Sequence, residues 1–244
     1  MQKKVIITGV LGGIGSGLAK AFKEDGYFVI GLDIKEEKLN ECDLFIQFDL
    51  QQYCNSNEYR TLLNQRFNKE IDYLNVLINN AAVQLLDNIK DIKLNEWEHT
   101  LQVNLTGPML LSQYFIQQLE DTRGCIINIA SIHQELTKRR FVSYATSKSA
   151  LVGLTKSMSV DLQGKVRVNA ISPAAIDTPM LHEGFNNDGD KVKQLNEMHP
   201  IQRIGKPFEV AKLALLLAED TLGFINGANI KIDGGISNVL KDLE

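Results

Sequence analysis

The stretch TGVLGGIG, residues 8–15, directly follows the first β-branched run of the chain and leads into a segment with helical spacing of apolar residues. Glycines allow a tight turn and let the backbone approach a pyrophosphate closely. Free N–H groups and the dipole at the start of a helix would stabilise the negative charge of that pyrophosphate. Glycine-rich turns also end strands and cap helices in unrelated proteins, so this stretch is informative only together with its surroundings.

Asp33 supports a dinucleotide site, since it ends the second predicted strand, eighteen residues beyond Gly15. A carboxylate at this spacing can accept hydrogen bonds from the adenosine ribose hydroxyls. It would repel the extra phosphate of NADP, and Gly12 brings no basic side chain into the turn to offset that repulsion. The pattern therefore favours NAD over NADP. Two alternatives stay open: Asp33 caps the following segment, or nearby Lys35 alters the cofactor preference.

The rest of the chain alternates short β-branched runs with longer amphipathic stretches, which is typical of parallel strands joined by crossover helices. We therefore predict an α/β fold with a seven-stranded parallel sheet and helices on both faces, in a single domain spanning residues 1–244. The predicted strands are Lys4 to Thr8, Tyr27 to Asp33, Leu44 to Asp49, Leu74 to Asn79, Gly124 to Ala130, Val166 to Ile171 and Asn229 to Ile232.

Apolar residues spaced three or four apart predict helices over Gly15 to Glu24, Asn95 to Glu120 and Tyr144 to Leu162. Pro108 should kink or split the second of these, because proline lacks the N–H that a helix interior needs. Glycines, asparagines and aspartates interrupt the periodicity between Thr178 and Pro200, so we expect an irregular substrate lid over about residues 178–200.

The composition argues against several classes of partner. Lys and Arg number 26 and Asp and Glu 30, so the net charge of −4 gives no general attraction to nucleic acid or to anionic membranes. The cysteines Cys42, Cys54 and Cys125 are scattered and lack the close pairing of a zinc site, so we expect free thiols, no metal and a reducing compartment. Without a membrane-spanning or targeting segment, the cytoplasm is the expected location.

Tyr144 and Lys148 are four residues apart and would share one face of a helix. A tyrosine base that works near neutral pH needs its pKa lowered by about three units, or about 4 kcal/mol. A buried ammonium could supply much of this, and oxidised nicotinamide would add to it, since both cations favour phenolate. Taken alone, the pair is more often a packed tyrosine beside a solvated lysine.

The combination of motifs resembles the short-chain dehydrogenase/reductase family in its compact single-domain form, and the resemblance spans nearly the whole chain. It implies a doubly wound Rossmann fold and a hydride-transferring oxidoreductase that acts on an alcohol or ketone. The matching elements are residues 8–15, Asp33, Asp49-Leu50, Asn79 to Ala82, Val103-Asn104, Ser131, Tyr144, Lys148, Pro173 to Thr178, Asn226-Gly227 and Asp233 to Gly235.

The resemblance implies four catalytic residues. Ser131 would hold the substrate oxygen and Tyr144 would exchange its proton. Lys148 would lower the pKa of the tyrosine and bind the nicotinamide ribose. Asn104 would hold a water that connects Lys148 to solvent.

The resemblance also implies the remaining cofactor contacts, although the family usually carries glycine where this chain has Ala82 and Ala174. Each alanine adds one methyl group, and we expect small adjustments of the nicotinamide pocket. The implied cofactor-binding residues are Gly9, Gly12, Gly13, Ile14, Gly15, Asp33, Ile34, Asp49, Leu50, Asn80, Ala81, Ala82, Tyr144, Lys148, Pro173, Ile176 and Thr178.

Substrate contacts are predicted for Ser131, His133 and Tyr144. Polar and basic residues around His133 and at Lys138 to Arg140 would suit an anionic or hydroxylated substrate, while a solvated loop is the simpler interpretation. His182 also lies in the proposed lid.

Family members usually form tetramers or dimers, so we expect a homotetramer through the helix of Tyr144, with Leu151, Leu154 and Met158 at the interface or packed on the sheet. The alternatives to an alcohol dehydrogenase are a non-catalytic NAD-binding sensor or scaffold, a sugar-nucleotide epimerase and an enoyl reductase. An epimerase would need a further substrate region, and an enoyl reductase a wider Tyr-to-Lys spacing.

Overall fold

A computed structural model describes residues 1–37 and 39–240 of the chain. Seven parallel strands form one sheet in the order β3-β2-β1-β4-β5-β6-β7, which confirms the predicted doubly wound Rossmann fold. The strands are β1 Lys4–Thr8, β2 Phe28–Asp33, β3 Leu44–Gln47, β4 Val76–Asn79, β5 Cys125–Ile129, β6 Arg167–Pro173 and β7 Asn229–Ile232. All seven predicted strands are present; β1 and β7 have the predicted boundaries, and the other five differ from them by one or two residues at an end.

Helices cover both faces of the sheet. They are α1 Gly13–Glu24, α2 Leu50–Asn55, α3 Asn57–Glu70, α4 Leu94–Leu101, α5 Gly107–Thr122, α6 Val142–Asp161, α7 Pro179–Gly184, α8 Gly189–Met198 and α9 Pro207–Ala218. Side chains of the strands alternate between the faces. Val5 and Ile7 pack in the core beneath α1 and α9, whereas Ile6 packs in the opposite core beneath α3 and α5. Because both faces are buried, the inner strands are predominantly apolar, and the polar residues that they carry, such as Asn79 and Asn128, are buried as well.

The predicted break at Pro108 is confirmed. One wide turn of π-helix, Gln102–Thr106, separates α4 from α5, and the N–H of Gly107 bonds to the carbonyl of Gln102 five residues back. Proline cannot donate to the helix, and its ring crowds the carbonyl four residues earlier, which here is that of Asn104. The wide turn relieves this crowding and carries the Asn104 side chain into the interior, where it is fully buried.

The expected irregular segment after Thr178 is largely helical, which corrects the sequence-based expectation. Two helices, α7 and α8, meet at Asn186 and Asn187, whose φ angles of 54° and 57° lie in the left-handed region. Asp188 then caps α8 through its side chain. The residues that interrupt the periodicity therefore mark the break between two short helices, because asparagine tolerates the left-handed conformation better than most residues do.

Among residues 1–37 and 39–240, none of the helices has the length and apolar character that crossing a membrane requires. Cys42, Cys54 and Cys125 are free thiols, as expected.

Candidate active site

The site residues meet at the carboxyl edge of the sheet. From β1 the chain proceeds outward to β2 and β3, whereas from β4 it proceeds in the other direction to β5, β6 and β7. The loops after β1 and β4 therefore diverge and leave a crevice between them, which is where doubly wound sheets bind their ligands.

The glycine-rich turn forms one wall of this crevice. Gly9 has a φ of +63°, and a Cβ atom there would lie 2.8 Å from the Cα of Ala81. A Cβ on Gly15 would lie only 2.1 Å from the carbonyl oxygen of Gly9. Side chains at these two positions would close the turn, so glycine is needed for the tight approach.

The start of α1 offers unpaired N–H groups to the crevice. Gly12 caps this helix without a side-chain hydrogen bond, and its first turn, Gly13 to Gly15, carries no acidic residue. A Cβ on Gly13 would lie 2.6 Å from Cγ2 of Thr178, so the turn and the segment after β6 are in close contact. N–H groups without a helical partner, at the positive end of a helix, can bind a pyrophosphate. Ile14, another predicted cofactor-binding residue, lies in this first turn of α1.

Asp33 links the end of β2 to the glycine-rich turn. Its Oδ2 accepts a hydrogen bond from the N–H of Leu11 at 3.0 Å, and its Oδ1 accepts one from the N–H of Lys35 at 3.2 Å. The capping role weighed from the sequence is therefore present. A carboxylate has about four lone-pair sites, so it can still accept the two ribose hydroxyls.

The loop after β4 is fixed to the same turn. The hydroxyl of Thr8 accepts the N–H groups of Asn80 and Ala81, both at 3.0 Å. The amide of Asn80 donates to the carbonyls of Thr8 and Gly9 at 2.9 and 3.0 Å. These bonds hold the two walls of the crevice together, and Ala82 follows directly in the chain.

Three of the implied cofactor-binding residues, Ile34, Asp49 and Leu50, follow β2 and β3, where the family resemblance implies that Asp49 and Leu50 contact the adenine of the cofactor. Ile34 is 59% exposed, so its apolar surface is available to a flat ring. Asp49 caps α2 by accepting the N–H groups of Gln51 and Gln52 at 2.8 and 3.1 Å, and Leu50 is buried. The structure thus gives Asp49 a capping role, and its contact with adenine stays a prediction.

The segment after β6 borders the nicotinamide side. Pro173 ends β6 and is buried, Ile176 is buried and pairs with Gly205, and the hydroxyl of Thr178 caps α7. The alanine at 174 donates its N–H to Ile232 at 3.1 Å, as a glycine there could.

Tyr144 and Lys148 lie one turn apart on α6, as predicted. The Lys148 side chain is only 2% exposed, and its Nζ donates to the carbonyl of Ile129 at 2.7 Å. This Nζ lies 5.7 Å from the centroid of the Tyr144 ring. The hydrogen bond to β5 holds the ammonium group beside the tyrosine, which excludes the interpretation of a solvated lysine.

The pKa values of Tyr144 and Lys148 differ from those expected from the sequence. Burial raises the pKa of Tyr144 to about 12, against a smaller lowering by its hydrogen bond with Ser131. Burial lowers the pKa of Lys148 to about 7, so this amine is only partly charged at neutral pH. The chain alone therefore keeps Tyr144 protonated, and the buried lysine does not supply most of the lowering that a tyrosine base requires.

Asn104 is held by protein groups through both ends of its side-chain amide. Its Oδ1 accepts the N–H of Val83 at 2.9 Å, and its Nδ2 donates to the carbonyl of Val83 at 2.9 Å and to Oγ of Ser147 at 3.0 Å. Ser147 in turn donates to the carbonyl of Tyr144 at 2.7 Å. The side chain thus joins the loop after β4 to α6, and a water held by Asn104 stays a prediction.

The substrate side is built around Ser131. This residue is buried at the end of β5, and its Oγ accepts the backbone N–H of His133 at 3.2 Å. The His133 ring stacks on that of Phe141 with centroids 4.5 Å apart, and both rings meet Tyr144 edge-on at about 6 Å. Phe141 could not be identified from the sequence, because an aromatic residue three positions before a tyrosine is not a diagnostic pattern.

The basic residues beside the site differ in their surroundings. Lys138 places its Nζ 4.5 Å from the centroid of the Phe141 ring, and burial lowers its pKa. Arg140 donates to the carbonyl of Leu86 at 3.0 Å, which ties it to the loop after β4. His182 pairs with Asp177 at 2.7 Å, and more than a third of each side chain is exposed. Of these basic residues, Lys138 is the one that packs on the Phe141 ring.

Comparisons with known proteins agree with this geometry. Residues 9–237 match the family model described as enoyl-(acyl carrier protein) reductase. Dehydrogenase/reductase SDR family member 6 of Danio rerio is 33% identical and the alignment covers 96% of each chain. The NAD-dependent glycerol dehydrogenase of Listeria innocua is 31% identical, with 96% of this chain and 93% of that protein covered. Meso-2,3-butanediol dehydrogenase of Serratia marcescens is 29% identical, covering 96% and 94%.

Solved structures of related proteins have the same fold as this chain. Ligand-free aldohexose dehydrogenase of Thermoplasma acidophilum superposes with a TM-score of 0.93 at 31% identity, covering 100% of this chain and 97% of that one. A 4-hydroxyisoleucine dehydrogenase complexed with NADH gives 0.88 at 29%, and ElxO with NADP bound gives 0.86 at 28%; both cover 98% of this chain and 100% of theirs. The chain belongs to the short-chain dehydrogenase/reductase family and is an oxidoreductase that moves a hydride between a nicotinamide cofactor and an alcohol or ketone.

Proposed function

We propose that Tyr144, Lys148, Ser131 and Asn104 form the catalytic group of an NAD-dependent alcohol dehydrogenase. The observation that carries this proposal is the buried Nζ of Lys148, held 2.7 Å from the carbonyl oxygen of Ile129 and 5.7 Å from the centroid of the Tyr144 ring. A buried lysine is costly, and its position beside a phenol and a hydroxyl at the crevice gives a chemical reason for that cost.

In the direction of alcohol oxidation, Ser131 donates a hydrogen bond to the substrate oxygen and Tyr144 takes the hydroxyl proton. A nicotinamide ring bound in the crevice would supply the acceptor for the hydride of the carbon that carries this hydroxyl. The positive charge of oxidised nicotinamide would add to that of protonated Lys148 in favouring the phenolate, and Lys148 passes the proton onward. Asn104 keeps α6 and the loop after β4 in register, so that these groups stay aligned. In ketone reduction, the same proton transfers run in reverse.

The preference for NAD rests on Asp33. Its carboxylate is held by Leu11 and Lys35 at the end of β2, where the 2′-phosphate of NADP would meet negative charge. Relatives include both an NAD-dependent enzyme and a protein with NADP bound. The proposed preference for NAD therefore depends on the Asp33 carboxylate of this chain. We also propose that the cofactor-binding residues predicted from the sequence, from Gly9 to Thr178, contact the bound NAD.

The substrate we propose is a small alcohol with a hydroxyl on the neighbouring carbon. Glycerol, 2,3-butanediol and aldohexoses, which the relatives' names give as their substrates, all share this arrangement. Enoyl reduction is disfavoured, because Tyr144 and Lys148 are separated by three residues, whereas an enoyl reductase would need a wider spacing.

We also propose that residues 1–244 form one domain with α7 and α8 as the substrate lid, and that the protein is a cytoplasmic homotetramer. That all seven strands lie in one sheet supports a single domain. The free thiols support a location in the reducing cytoplasm. Val160 on α6 is 77% exposed and Met109 on α5 is 36% exposed, which supports an interface on these two helices. Leu151 does not belong to it, since it is only 1% exposed.

The Tyr144→Phe variant tests the proposed function. We expect kcat for oxidation of 2,3-butanediol with NAD to fall by about 10³-fold or more, because proton transfer loses its base. The affinity for NADH, measured by fluorescence titration, should stay unchanged. The wild type, assayed with both cofactors, should show the higher kcat/KM with NAD.

Thr146→Ala is a matched control, since Thr146 lies on the same helix and is exposed. It should leave kcat unchanged. Turnover by Tyr144→Phe equal to that of the wild type would refute the catalytic role. A higher kcat/KM with NADP would refute the role given to Asp33.

A further inference from the structure

His133 is a half-buried imidazole directly beside the proposed catalytic groups. Its ring centroid lies 6.0 Å from that of Tyr144, and its backbone N–H bonds to Oγ of Ser131 at 3.2 Å. The ring is held against Phe141, which is itself only 6% exposed. The imidazole therefore has a fixed position next to the two residues that would handle the substrate oxygen.

The backbone sets which nitrogen of His133 carries the proton. Nδ1 lies 3.1 Å from the carbonyl oxygen of Leu136, and because a carbonyl only accepts, Nδ1 must donate. Burial and, secondly, the charge of Lys138 lower the pKa of His133. The ring is therefore neutral at neutral pH, and Nε2 presents a lone pair.

Nε2 is available to a ligand. Within residues 1–37 and 39–240, no protein group hydrogen-bonds to this nitrogen, and it is not among the buried side-chain atoms without a partner. A lone-pair acceptor binds a hydroxyl and rejects groups that have no proton to give, such as a carboxylate or a second ketone. The chemistry at this position thus selects a hydrogen-bond donor on the substrate.

We propose that Nε2 of His133 accepts a hydrogen bond from a second substrate hydroxyl on the carbon next to the reacting one. His133 is then the residue that makes the enzyme prefer vicinal diols to simple alcohols. This inference rests on the proposed function and adds the group that selects among alcohols. Phe141 supports the selection by fixing the plane of the imidazole.

The test compares two substrates of equal carbon skeleton, meso-2,3-butanediol and 2-butanol. In the wild type, kcat/KM should be higher for the diol. In His133→Phe, which keeps an aromatic ring against Phe141, the ratio of the two kcat/KM values should fall by about tenfold, the equivalent of one hydrogen bond. His133→Gln supplies an amide oxygen as acceptor and should restore part of the ratio.

Glu135→Gln is the matched control, because Glu135 lies on the same loop and pairs with Lys231 at 2.9 Å on the solvent side. Its substrate ratio should equal that of the wild type. An equal loss for both substrates in His133→Phe would show a structural role only and would overturn the inference. So would a wild type that does not prefer the diol.

Binding separates failure of this inference from failure of the proposed function. Calorimetric titration of each alcohol into protein saturated with NADH measures affinity without turnover. If the wild type oxidises neither alcohol, the proposed function fails, yet a tighter diol complex that weakens in His133→Phe would still support the role of His133. Equal diol affinity in the two proteins would overturn it.

Discussion

Lys148 shows how a single residue can be costly to the fold and useful to the site. Its amine is buried and its pKa is lowered to about 7, so folding must remove a proton or bury a charge at neutral pH. The hydrogen bond to Ile129 returns only part of this free energy. Active sites commonly keep such residues at the expense of stability.

We expect Lys148→Met to abolish turnover and to raise the free energy of unfolding by about 2 kcal/mol at pH 7, after allowing for the lost bond to Ile129. The amine takes up its proton below pH 10.5 in the unfolded chain and only below about pH 7 in the folded protein. Between these values the unfolded state binds more protons, so wild-type stability rises with pH.

The difference between the two proteins should therefore be largest below pH 7 and shrink as the pH rises towards 10.5. Urea unfolding followed by circular dichroism at several pH values measures it. A variant that is less stable than the wild type at every pH would contradict a buried, destabilising amine.

Among the elements, the π-helical turn between α4 and α5 positions a residue of the site. It brings the amide of Asn104 to the backbone of Val83 and to Ser147, so three hydrogen bonds connect the loop after β4 to α6. An uninterrupted helix would orient this side chain differently, because every residue after the wide turn is rotated relative to regular spacing.

Asn104→Ala should lower the free energy of unfolding by about 2 to 3 kcal/mol, since it leaves buried polar groups of Val83 and Ser147 unpaired. It should also reduce kcat more than it weakens NADH binding, because α6 loses its alignment. Thermal unfolding and steady-state kinetics measure the two effects.

Gln102→Ala serves as the comparison, because Gln102 lies in the same turn but pairs with Asn55 at the surface. It should change stability by less than about 0.5 kcal/mol. Equal effects of the two substitutions would mean that Asn104 has no special part in aligning α6.

For the whole molecule, the exposed apolar residues of α5 and α6 have a quaternary consequence. Val160 and Met109 lie on the outside of the fold, whereas Leu151 is packed inside. We expect light scattering at micromolar concentration to give a mass four times 27.3 kDa, and Val160→Glu to lower it by placing charge at the interface. A monomeric mass for the wild type would contradict the tetramer.

Much of this architecture could be predicted from local sequence patterns. The apolar and β-branched runs of the seven strands, the glycine-rich turn at residues 8–15 and the break at Pro108 can each be recognised from the residue types or steric limits within a short segment. The segment from Thr178 to Pro200 was predicted less well, because its turn residues hide two short helices, α7 and α8.

The amino-acid pattern determines the chain order of the strands, the pairing of Tyr144 with Lys148 along one helix and the presence of Asp33 after β2. Only the tertiary structure decides that Lys148 reaches the carbonyl of Ile129, that burial moves the pKa of Tyr144 upward, and that His133 stacks on Phe141. Periodicity and turn chemistry act over a few residues, whereas burial and electrostatic environment depend on groups that the sheet brings together from distant parts of the chain.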